Sequence, residues 1–391
     1  MLRFLFFQLA GVLLLQCQSP SEDSNNQTQV IIPGAHQIDQ YDDLIRGKRL
    51  GLCVNHTSLV NNTHLVDTLL SLDYDLQKIY TPEHGYRGTA DAGEIVANDK
   101  LDQLEVISLY GKNKKPTATQ LAGIDVMIFD LQDVGTRFFT YISTMHYLME
   151  ACAEANIPLI ILDRPNPNDF IDGPVLDTAF RSFVGMHPIP IVHGLTVGEL
   201  AKMIQGERWL SQEKSPDLTV ISVKNWKHGV PYELPVKPSP NLPNQNAINW
   251  YPTLCFFEGT TLSVGRGTAF PFEVIGSPLY PDSSFSFTPI STAGAKYPKL
   301  ENQLCYGIDF RQQTPPRFID LDLLISVYHK MEGNDFFNGY FNTLAGNDEL
   351  QERIKKQVDA ATIRNSWQPG LEAYRQLRLK YLIYPDNSFK N

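Results

Sequence analysis

The alternation of two kinds of segment between about residues 48 and 225 restricts the fold of this chain more than any other feature. Short apolar runs, such as MIFDL at 127–131 and PLIIL at 158–162, end in polar residues and precede segments with helical periodicity. A continuous apolar run is typical of a strand that is covered on both faces. Strands that alternate with helices form βαβ units, so we predict an α/β fold with a parallel sheet.

The character of the sequence changes after Trp226, which predicts a second, smaller domain. Residues 230–245 are rich in proline, and this composition favours an irregular crossing segment. Strand-like and helical stretches follow without regular alternation, so we expect an α+β arrangement there. A chain of 391 residues has room for two domains. We predict that they span residues 33–228 and 229–391.

The N-terminus has the pattern of an export signal. Arg3 precedes the apolar residues 4–15, a stretch too short to span a bilayer, and Cys17 follows closely. We predict that residues 1–17 are a signal peptide of lipoprotein type, with plain secretion as the alternative. A lipid on Cys17 would be the link to a membrane, and the polar residues 18–32 would form a flexible tether. The expected location is the periplasm or the outer membrane.

Charge and missing motifs exclude several functions. The net charge of −10 and the lack of a Lys/Arg cluster argue against a nucleic-acid partner. No GxGxxG motif opens the first βα turn, and neither a P-loop nor a GxSxG serine motif occurs. The spacing of the remaining cysteines, Cys53, Cys152, Cys255 and Cys305, does not fit a metal site, so we expect buried thiols and no metal. Because the nucleotide motifs are missing as well, we expect no cofactor.

Polar side chains follow the predicted strands, at the sheet edge where open parallel sheets bind ligands. Further candidates are an aromatic residue after the fourth strand, which the core can also explain, and a histidine before a predicted helix. We list the candidates as Asn55, Glu83, His84, Arg87, Asp91, Asp130, Gln132, Asp133, Arg137, Tyr141, Asp163, Arg164, Asn166 and His193.

Carboxylate chemistry is the interpretation that these residues favour. Cleavage of a glycosidic bond needs a proton donor and a second group that attacks, activates water or stabilises positive charge. Glu83 is the first candidate for the donor, although it could also cap a helix or pair with Arg87. Asp133 is catalytic or binds sugar. Arg137 either pairs with Asp133 at helical spacing or holds a substrate carboxylate.

Six blocks of the sequence resemble the exo-β-N-acetylmuramidase family of NamZ type. They occur in order and together extend from about residue 33 to the C-terminus. The blocks are TPEHGYRGTADAGE (81–94), DLQDVGTRFFTYISTM (130–145), ILDRPNP (161–167), VHGLTVGELA (192–201), FFEGTTLSVGRGT (256–268) and RQLRLKYLIY (375–384).

The resemblance implies a Rossmann-like catalytic domain, a smaller C-terminal auxiliary domain and an active-site cleft between them. It implies release of terminal, non-reducing N-acetylmuramic acid from peptidoglycan-derived saccharides or muropeptides. Its PEHG block makes Glu83 the leading catalytic candidate, and its DAGE block adds Asp91 and Glu94.

The second catalytic group stays open between Glu94 and Asp133. From the second domain, Glu258 and Arg266 would close the cleft, and Arg266 or Arg137 would bind the lactyl carboxylate of the sugar. One alternative is a lipoprotein that binds peptidoglycan fragments without cleaving them. Another is a hydrolase of a different bond, such as an ester or amide.

Overall fold

The computed structural model describes residues 29–88, 99–101, 104–211, 214–331 and 335–386. Within it, the chain from Ile31 onward forms one compact unit. The predicted signal peptide, most of the predicted tether, and the candidates Asp91 and Glu94 lie outside the described residues.

Helices and strands alternate through the first half of the chain, as the sequence pattern predicts. The α-helices are α1 Asp42–Ile45, α2 Leu65–Ser71, α3 Ala118–Leu121, α4 Tyr141–Ala155, α5 Val197–Gly206, α6 Gln245–Leu254, α7 Leu321–Lys330, α8 Phe341–Ala345, α9 Glu349–Lys355 and α10 Ala360–Leu379. The strands are β1 Arg49–Val54, β2 Leu59–Val60, β3 Thr63–His64, β4 Asp75–Thr81, β5 Asp99–Leu101, β6 Leu104–Ser108, β7 Val126–Asp130, β8 Leu159–Leu162, β9 Ile171–Asp172, β10 Val192–His193, β11 Leu218–Ile221, β12 Val274–Ser277, β13 Ser286–Phe287 and β14 Cys305–Asp309.

The main sheet has seven strands in the order β11-β8-β7-β1-β4-β6-β5. Six of them are parallel, and the edge strand β5 runs antiparallel to β6. When the parallel strands are counted along the chain, their order across the sheet is 3-2-1-4-5-6, the order of a dinucleotide-binding Rossmann fold. The prediction of a Rossmann-like parallel sheet is therefore confirmed.

Both faces of this sheet are covered, which explains the continuous apolar runs. In β7, Met127 and Phe129 point into the core that contains α4 and α5. Val126 and Ile128 alternate with them and point into the opposite core, against α1 and α2. A strand with two buried faces has no position for a polar side chain until it ends.

The loop and cap signals of the sequence also have the predicted form. Thr196 and Glu199 form a capping box at the start of α5. Residues 230–244, within the proline-rich segment, contain no helix or longer strand. The segment ends where the Asn244 side chain accepts a hydrogen bond from the Ala247 amide and begins α6.

The smaller C-terminal region contains an antiparallel sheet in the order β12-β14-β13, together with helices α6 to α10. The last helix, α10, returns to the loop that follows β10. There the Tyr374 hydroxyl donates to the His193 carbonyl at 2.7 Å, and Arg378 Nη2 donates to the Gly194 carbonyl at 2.6 Å. The C-terminal region therefore holds a strand-end loop of the first region in place.

Among the residues that the structure describes, no helix combines the length and the apolar character needed to cross a bilayer. The four cysteines at 53, 152, 255 and 305 are free and buried, as expected. Burial raises the pKa of the Cys53 and Cys152 thiols, so both stay protonated and unreactive.

Candidate active site

A cleft of about 980 Å³ lies at the carboxyl ends of the parallel strands and is lined from both regions of the chain. The first region contributes Glu83 and His84 shortly after β4, the loop after β6 and the start of α4. The second contributes the segments that follow the proline-rich crossing. The polar and aromatic lining residues include Glu83, His84, Tyr110, Lys114, Thr140, Tyr141, Phe183, Asn241, Tyr251, Glu258, Arg266, Lys296, Tyr297, Lys299 and Tyr340.

Glu83 lines this cleft because the chain turns sharply after β4. His84 and Gly85 both have φ of +71°, in the left-handed region, and the Gly85 amide donates to the Pro82 carbonyl at 3.0 Å. A non-glycine residue rarely adopts that conformation, so the turn is a specific feature of the PEHG block. It leaves Glu83 only 9% exposed, with its carboxyl group at the cleft.

The Glu83 carboxyl group is held by the residue that precedes α4. Thr140 Oγ1 donates to Glu83 Oε2 at 2.7 Å. Thr140 is the residue before α4, yet its side chain makes no capping bond to the described helix. Its hydroxyl is therefore directed to the carboxyl group, and a hydroxyl can bond to that group in either protonation state.

Tyr141 forms part of the same wall of the cleft. Its hydroxyl accepts from Asn55 Nδ2 at 2.9 Å and donates to the Pro238 carbonyl at 3.1 Å. Burial, and then the negative charge of Glu83, raise the pKa of Tyr141 above its ordinary value. Asn55 thus acts behind Tyr141, where it fixes the phenol and does not itself line the cleft.

Glu258 and Arg266 enter the cleft from the C-terminal region, as the resemblance implies. Arg266 donates to both Glu258 carboxylate oxygens, at 2.6 Å from Nε and 3.2 Å from Nη2. The guanidinium also lies over the Phe272 ring, 4.9 Å from its centroid. Burial alone would lower the pKa of Arg266, but Glu258 raises it above its ordinary value.

Asp130 and Arg164 are brought together, but away from the cleft. Both are buried, and Arg164 donates to both Asp130 oxygens at 2.5 and 2.8 Å. A third bond runs from Arg164 Nη2 to the Leu59 carbonyl. The pair ties the ends of β7 and β8 to the loop after β1, and so supports the site from behind.

Asp133 lies in the loop after β7 and does not line the cleft. Its Oδ2 accepts from the Gly135 amide at 2.6 Å and lies 3.7 Å from His193 Nε2. Gly135 has φ of +77°, and a Cβ there would lie 2.1 Å from Asn166 Oδ1. Asp133 and His193 thus belong to a tightly packed turn, and neither lines the cleft.

Arg137 is completely buried and does not face the cleft. Its Nη1 donates to the carbonyls of Pro174 and Ile189, and its Nη2 donates to those of Leu344 and Ala345. Four carbonyl groups from both regions of the chain therefore occupy the guanidinium. Neither an Asp133 ion pair nor a contact with a substrate carboxylate fits this position.

Three further candidates organise loops. Gln132 Nε2 donates to the Pro165 carbonyl, and Asn166 Oδ1 accepts from the Asn168 amide in an Asx-type turn. Asp163 accepts hydrogen bonds from the Tyr384 and Thr196 hydroxyls and from the Gly198 amide. Burial raises the pKa of Asp163 to about 6.

Arg87 is exposed beside the Glu83 turn and does not line the cleft. Asp91 and Glu94 follow it outside the described residues, so their predicted roles stay predictions.

Several lining residues were not singled out from the sequence as site residues. Thr140 lies inside a recognised block but next to the more conspicuous Tyr141. Lys114 and Phe183 come from loops without a motif, and Tyr297 and Tyr340 come from the C-terminal region. Only the strand-end position of the loop after β6 could have indicated Lys114.

No group of three or more His, Cys, Asp or Glu side chains is placed to hold a metal ion within the described part of the chain. The chemistry that the described cleft offers is that of carboxyl groups, cationic side chains and aromatic rings. Such a cleft, between a Rossmann-like domain and a smaller domain, has the features of a glycoside hydrolase.

Comparison with known proteins agrees with this class. Residues 50–246 match the N-terminal part of the exo-β-N-acetylmuramidase NamZ family, and residues 249–384 match its C-terminal part. The chain belongs to this family. It is 38% identical to the peptidoglycan β-N-acetylmuramidase NamZ of Bacillus subtilis (strain 168), over 98% of this chain and all of that protein.

Two solved structures share the fold over most of the chain. Both are DUF1343 family proteins from Bacteroides fragilis NCTC 9343. The first has 42% identity and a TM-score of 0.85, and the alignment covers 92% of this chain and 100% of the other. The second has 30% identity and a TM-score of 0.78, with 91% and 99% covered.

Proposed function

We propose that this protein is an exo-β-N-acetylmuramidase, which hydrolyses terminal non-reducing N-acetylmuramic acid from peptidoglycan fragments. Family membership and the Bacillus subtilis relative support the activity. The observation in the structure that carries the proposal is the position of Glu83. It is a nearly buried carboxyl group, bonded to Thr140, on the wall of a cleft large enough for a saccharide.

Glu83 acts as the general acid in this proposal. Its carboxyl group gives a proton to the glycosidic oxygen as the bond to the sugar carbon breaks. The Thr140 hydroxyl binds Glu83 Oε2 and so fixes the orientation of the carboxyl group. Because the hydroxyl can donate or accept, this contact persists before and after proton transfer.

The second catalytic group in this proposal is Glu94 or Asp133, and we rank Glu94 first because of the surroundings of Asp133. Asp133 is engaged by the Gly135 amide in a turn that does not line the cleft. Glu258 is a second carboxylate on the cleft wall, and we assign it to hydrogen bonds with sugar hydroxyls. Arg266, which also lines the cleft, fixes its orientation through two hydrogen bonds.

Hydrolysis of para-nitrophenyl N-acetylmuramide tests the activity. We expect the purified protein lacking residues 1–20 to release nitrophenol from the muramide and not from the N-acetylglucosaminide. Glu83→Gln should lower the rate of nitrophenol release more than 100-fold, as expected when a positioned proton donor is lost. Glu105→Gln is the matched control, since Glu105 is exposed on β6 and does not line the cleft.

Each other outcome has a defined meaning. A folded wild-type protein that binds the sugar without turnover would support a non-catalytic binding protein instead. Equal turnover by Glu83→Gln would keep the activity but remove Glu83 as the acid. The variants Glu94→Gln, Asp133→Asn and Glu258→Gln, measured beside it, would then identify the acid.

We propose further that the protein is exported and carries a lipid on Cys17. Arg3, the apolar residues 4–15 and Cys17, which follows them after Gln16, support this placement. Mass spectrometry of the N-terminal peptide from membranes should show a diacylglyceryl-modified Cys17. A soluble protein that is cleaved elsewhere would show plain secretion.

A further inference from the structure

The described residues that line the cleft carry more positive than negative charge, whereas the whole chain is acidic. The chain has a net charge of −10. The described residues that line the cleft include four cationic side chains, Lys114, Arg266, Lys296 and Lys299, but only two carboxylates, Glu83 and Glu258. An excess of positive charge in a concave site attracts an anionic ligand.

Two of these cations are already engaged by the protein. Arg266 directs the edge formed by Nε and Nη2 at the Glu258 carboxylate. Lys299 donates to the carbonyls of Glu258 and Thr260, at 3.0 and 2.8 Å. Both contacts shape the cleft wall, so neither side chain offers its main donor edge to a ligand.

Lys114 is held in a different way. Its ammonium nitrogen lies 4.6 Å from the centroid of the Phe183 ring. Within the described part of the chain, no carboxylate lies within ion-pair distance of this nitrogen. A ring face attracts an ammonium without using all of its three N–H donors, so donors remain for a ligand.

The residues on either side fix the position of Lys114. Asn113 Nδ2 donates to the Ser108 carbonyl at the end of β6 at 2.9 Å. Lys115 forms ion pairs with Glu150 and Glu154 on α4, at 3.1 and 2.6 Å. The backbone at Lys114 is therefore anchored on both sides, and its side chain is the one of the three that lines the cleft.

The Phe183 ring is itself supported by other aromatic rings. Tyr147 stacks on it with an interplanar angle of 16°, and the Tyr110 ring lies 5.9 Å away and also lines the cleft. Lys114 therefore stands on a rigid aromatic base beside the cleft. A lysine that is held in place loses less entropy when it binds an anion.

We propose that Lys114 binds the carboxylate of the sugar and so selects N-acetylmuramic acid with a free lactyl group. The identity of the sugar rests on the proposed function, whereas the anion site rests on the geometry above. A peptide stem converts the lactyl carboxylate into an uncharged amide, which cannot form an ion pair with the lysine ammonium. The enzyme accordingly prefers saccharides whose terminal residue has lost its peptide.

Binding of free N-acetylmuramic acid, measured by calorimetry, tests the site without turnover. The comparison ligand is its lactyl amide, which has nearly the same size and shape but lacks the negative charge. We expect the wild-type protein to bind the acid about 10- to 100-fold more tightly, the effect of one charge-assisted hydrogen bond. The Lys114→Met variant should bind the acid only as weakly as the wild-type protein binds the amide. The Lys114→Arg variant should keep part of the preference for the acid.

Lys112→Met is the matched control, because Lys112 is exposed two residues away and does not line the cleft. Its affinities should equal those of the wild-type protein. Equal weakening of acid and amide in Lys114→Met would show a structural role and overturn the proposal. A preference for the acid that survives in Lys114→Met, or is lost in Lys296→Met instead, would also overturn it.

The same proteins, assayed with para-nitrophenyl N-acetylmuramide, separate the two proposals. A preference for the acid that depends on Lys114, without turnover, would keep the anion site and reject the hydrolase. Turnover without any preference for the acid would keep the hydrolase and reject the role of Lys114.

Discussion

The Thr140 hydroxyl lies 2.7 Å from Glu83 Oε2, although the two residues are 57 positions apart in the chain. Glu83 follows the second parallel strand, and Thr140 directly precedes α4, the helix that follows the fourth. Their contact joins two strand-end segments at one carboxyl group. It makes Thr140 a positioning residue for the proposed acid.

Thr140→Val tests this relationship, because valine keeps the shape and removes the hydroxyl. We expect kcat for the muramide to fall about 10-fold with little change in KM, since one hydrogen bond to the acid is lost. Thr140→Ser should restore most of the rate. The melting temperature should stay unchanged, because the Thr140 side chain does not cap α4. A large fall in melting temperature with unchanged kcat would contradict the assignment.

The Glu258–Arg266 pair should show strong coupling in a double-mutant cycle. Arg266→Met leaves the Glu258 carboxylate in a partly buried site without its partner, so we expect a loss of about 2–3 kcal/mol in the free energy of unfolding. Adding Glu258→Gln should recover about 1–2 kcal/mol of that loss. Urea unfolding of the four proteins measures the coupling. Additive losses would mean that the two side chains act independently.

Arg137 should matter for stability and not for substrate binding. Arg137→Met leaves the carbonyls of Pro174, Ile189, Leu344 and Ala345 without this donor, and we expect a loss of roughly 3 kcal/mol or more. Activity per folded molecule at low temperature should be retained. If KM for the muramide rose while the unfolding midpoint stayed constant, Arg137 would be a substrate contact after all.

A substitution of an arginine on the surface is the reference for the unfolding measurement on Arg137→Met. Arg353 forms an exposed ion pair with Glu349 on α9. Arg353→Met should change the free energy of unfolding by less than about 1 kcal/mol. The difference between the two arginine variants then reports the effect of burial.

His228 should make stability depend on pH. Its Nδ1 lies 2.7 Å from Asp169 and its Nε2 lies 3.0 Å from Glu199, while Arg378 lies 3.1 Å from Nδ1. Burial lowers the pKa of His228, but the two carboxylates outweigh this effect and raise it to about 9. Because the folded state binds the proton more tightly, the stabilisation is complete below about pH 6.5 and is lost as pH rises through about 9.

Comparison with His228→Gln isolates this contribution. The wild-type protein should exceed the variant in free energy of unfolding by on the order of 3 kcal/mol more at pH 6 than at pH 10. Urea unfolding across this range measures the difference. A gap that is constant with pH would show that folding does not change the pKa of His228, and a gap that is larger at pH 10 would show that the folded protein holds His228 neutral.

The sequence by itself determined the parallel α/β architecture. Runs such as residues 127–131 have no polar side chain before the strand ends, a pattern typical of a strand with two covered faces. It also determined the edge of the sheet at which the cleft lies, because the carboxyl ends of parallel strands meet there. Glu83 was predicted as a site residue on this basis and from its PEHG block, and it lines the cleft.

Only the tertiary structure decided which strand-end side chains face the cleft. Asp130, Arg137 and Arg164 follow strands as Glu83 does, but their partners lie inside the protein. Those partners are distant in the chain; the Ala345 carbonyl, for example, is 208 residues from Arg137. A local pattern cannot specify such pairs, because each depends on how the C-terminal region packs against the strand-end loops. A long-range contact also helps to place Lys114 at the cleft, because the neighbouring Lys115 pairs with Glu150 on α4.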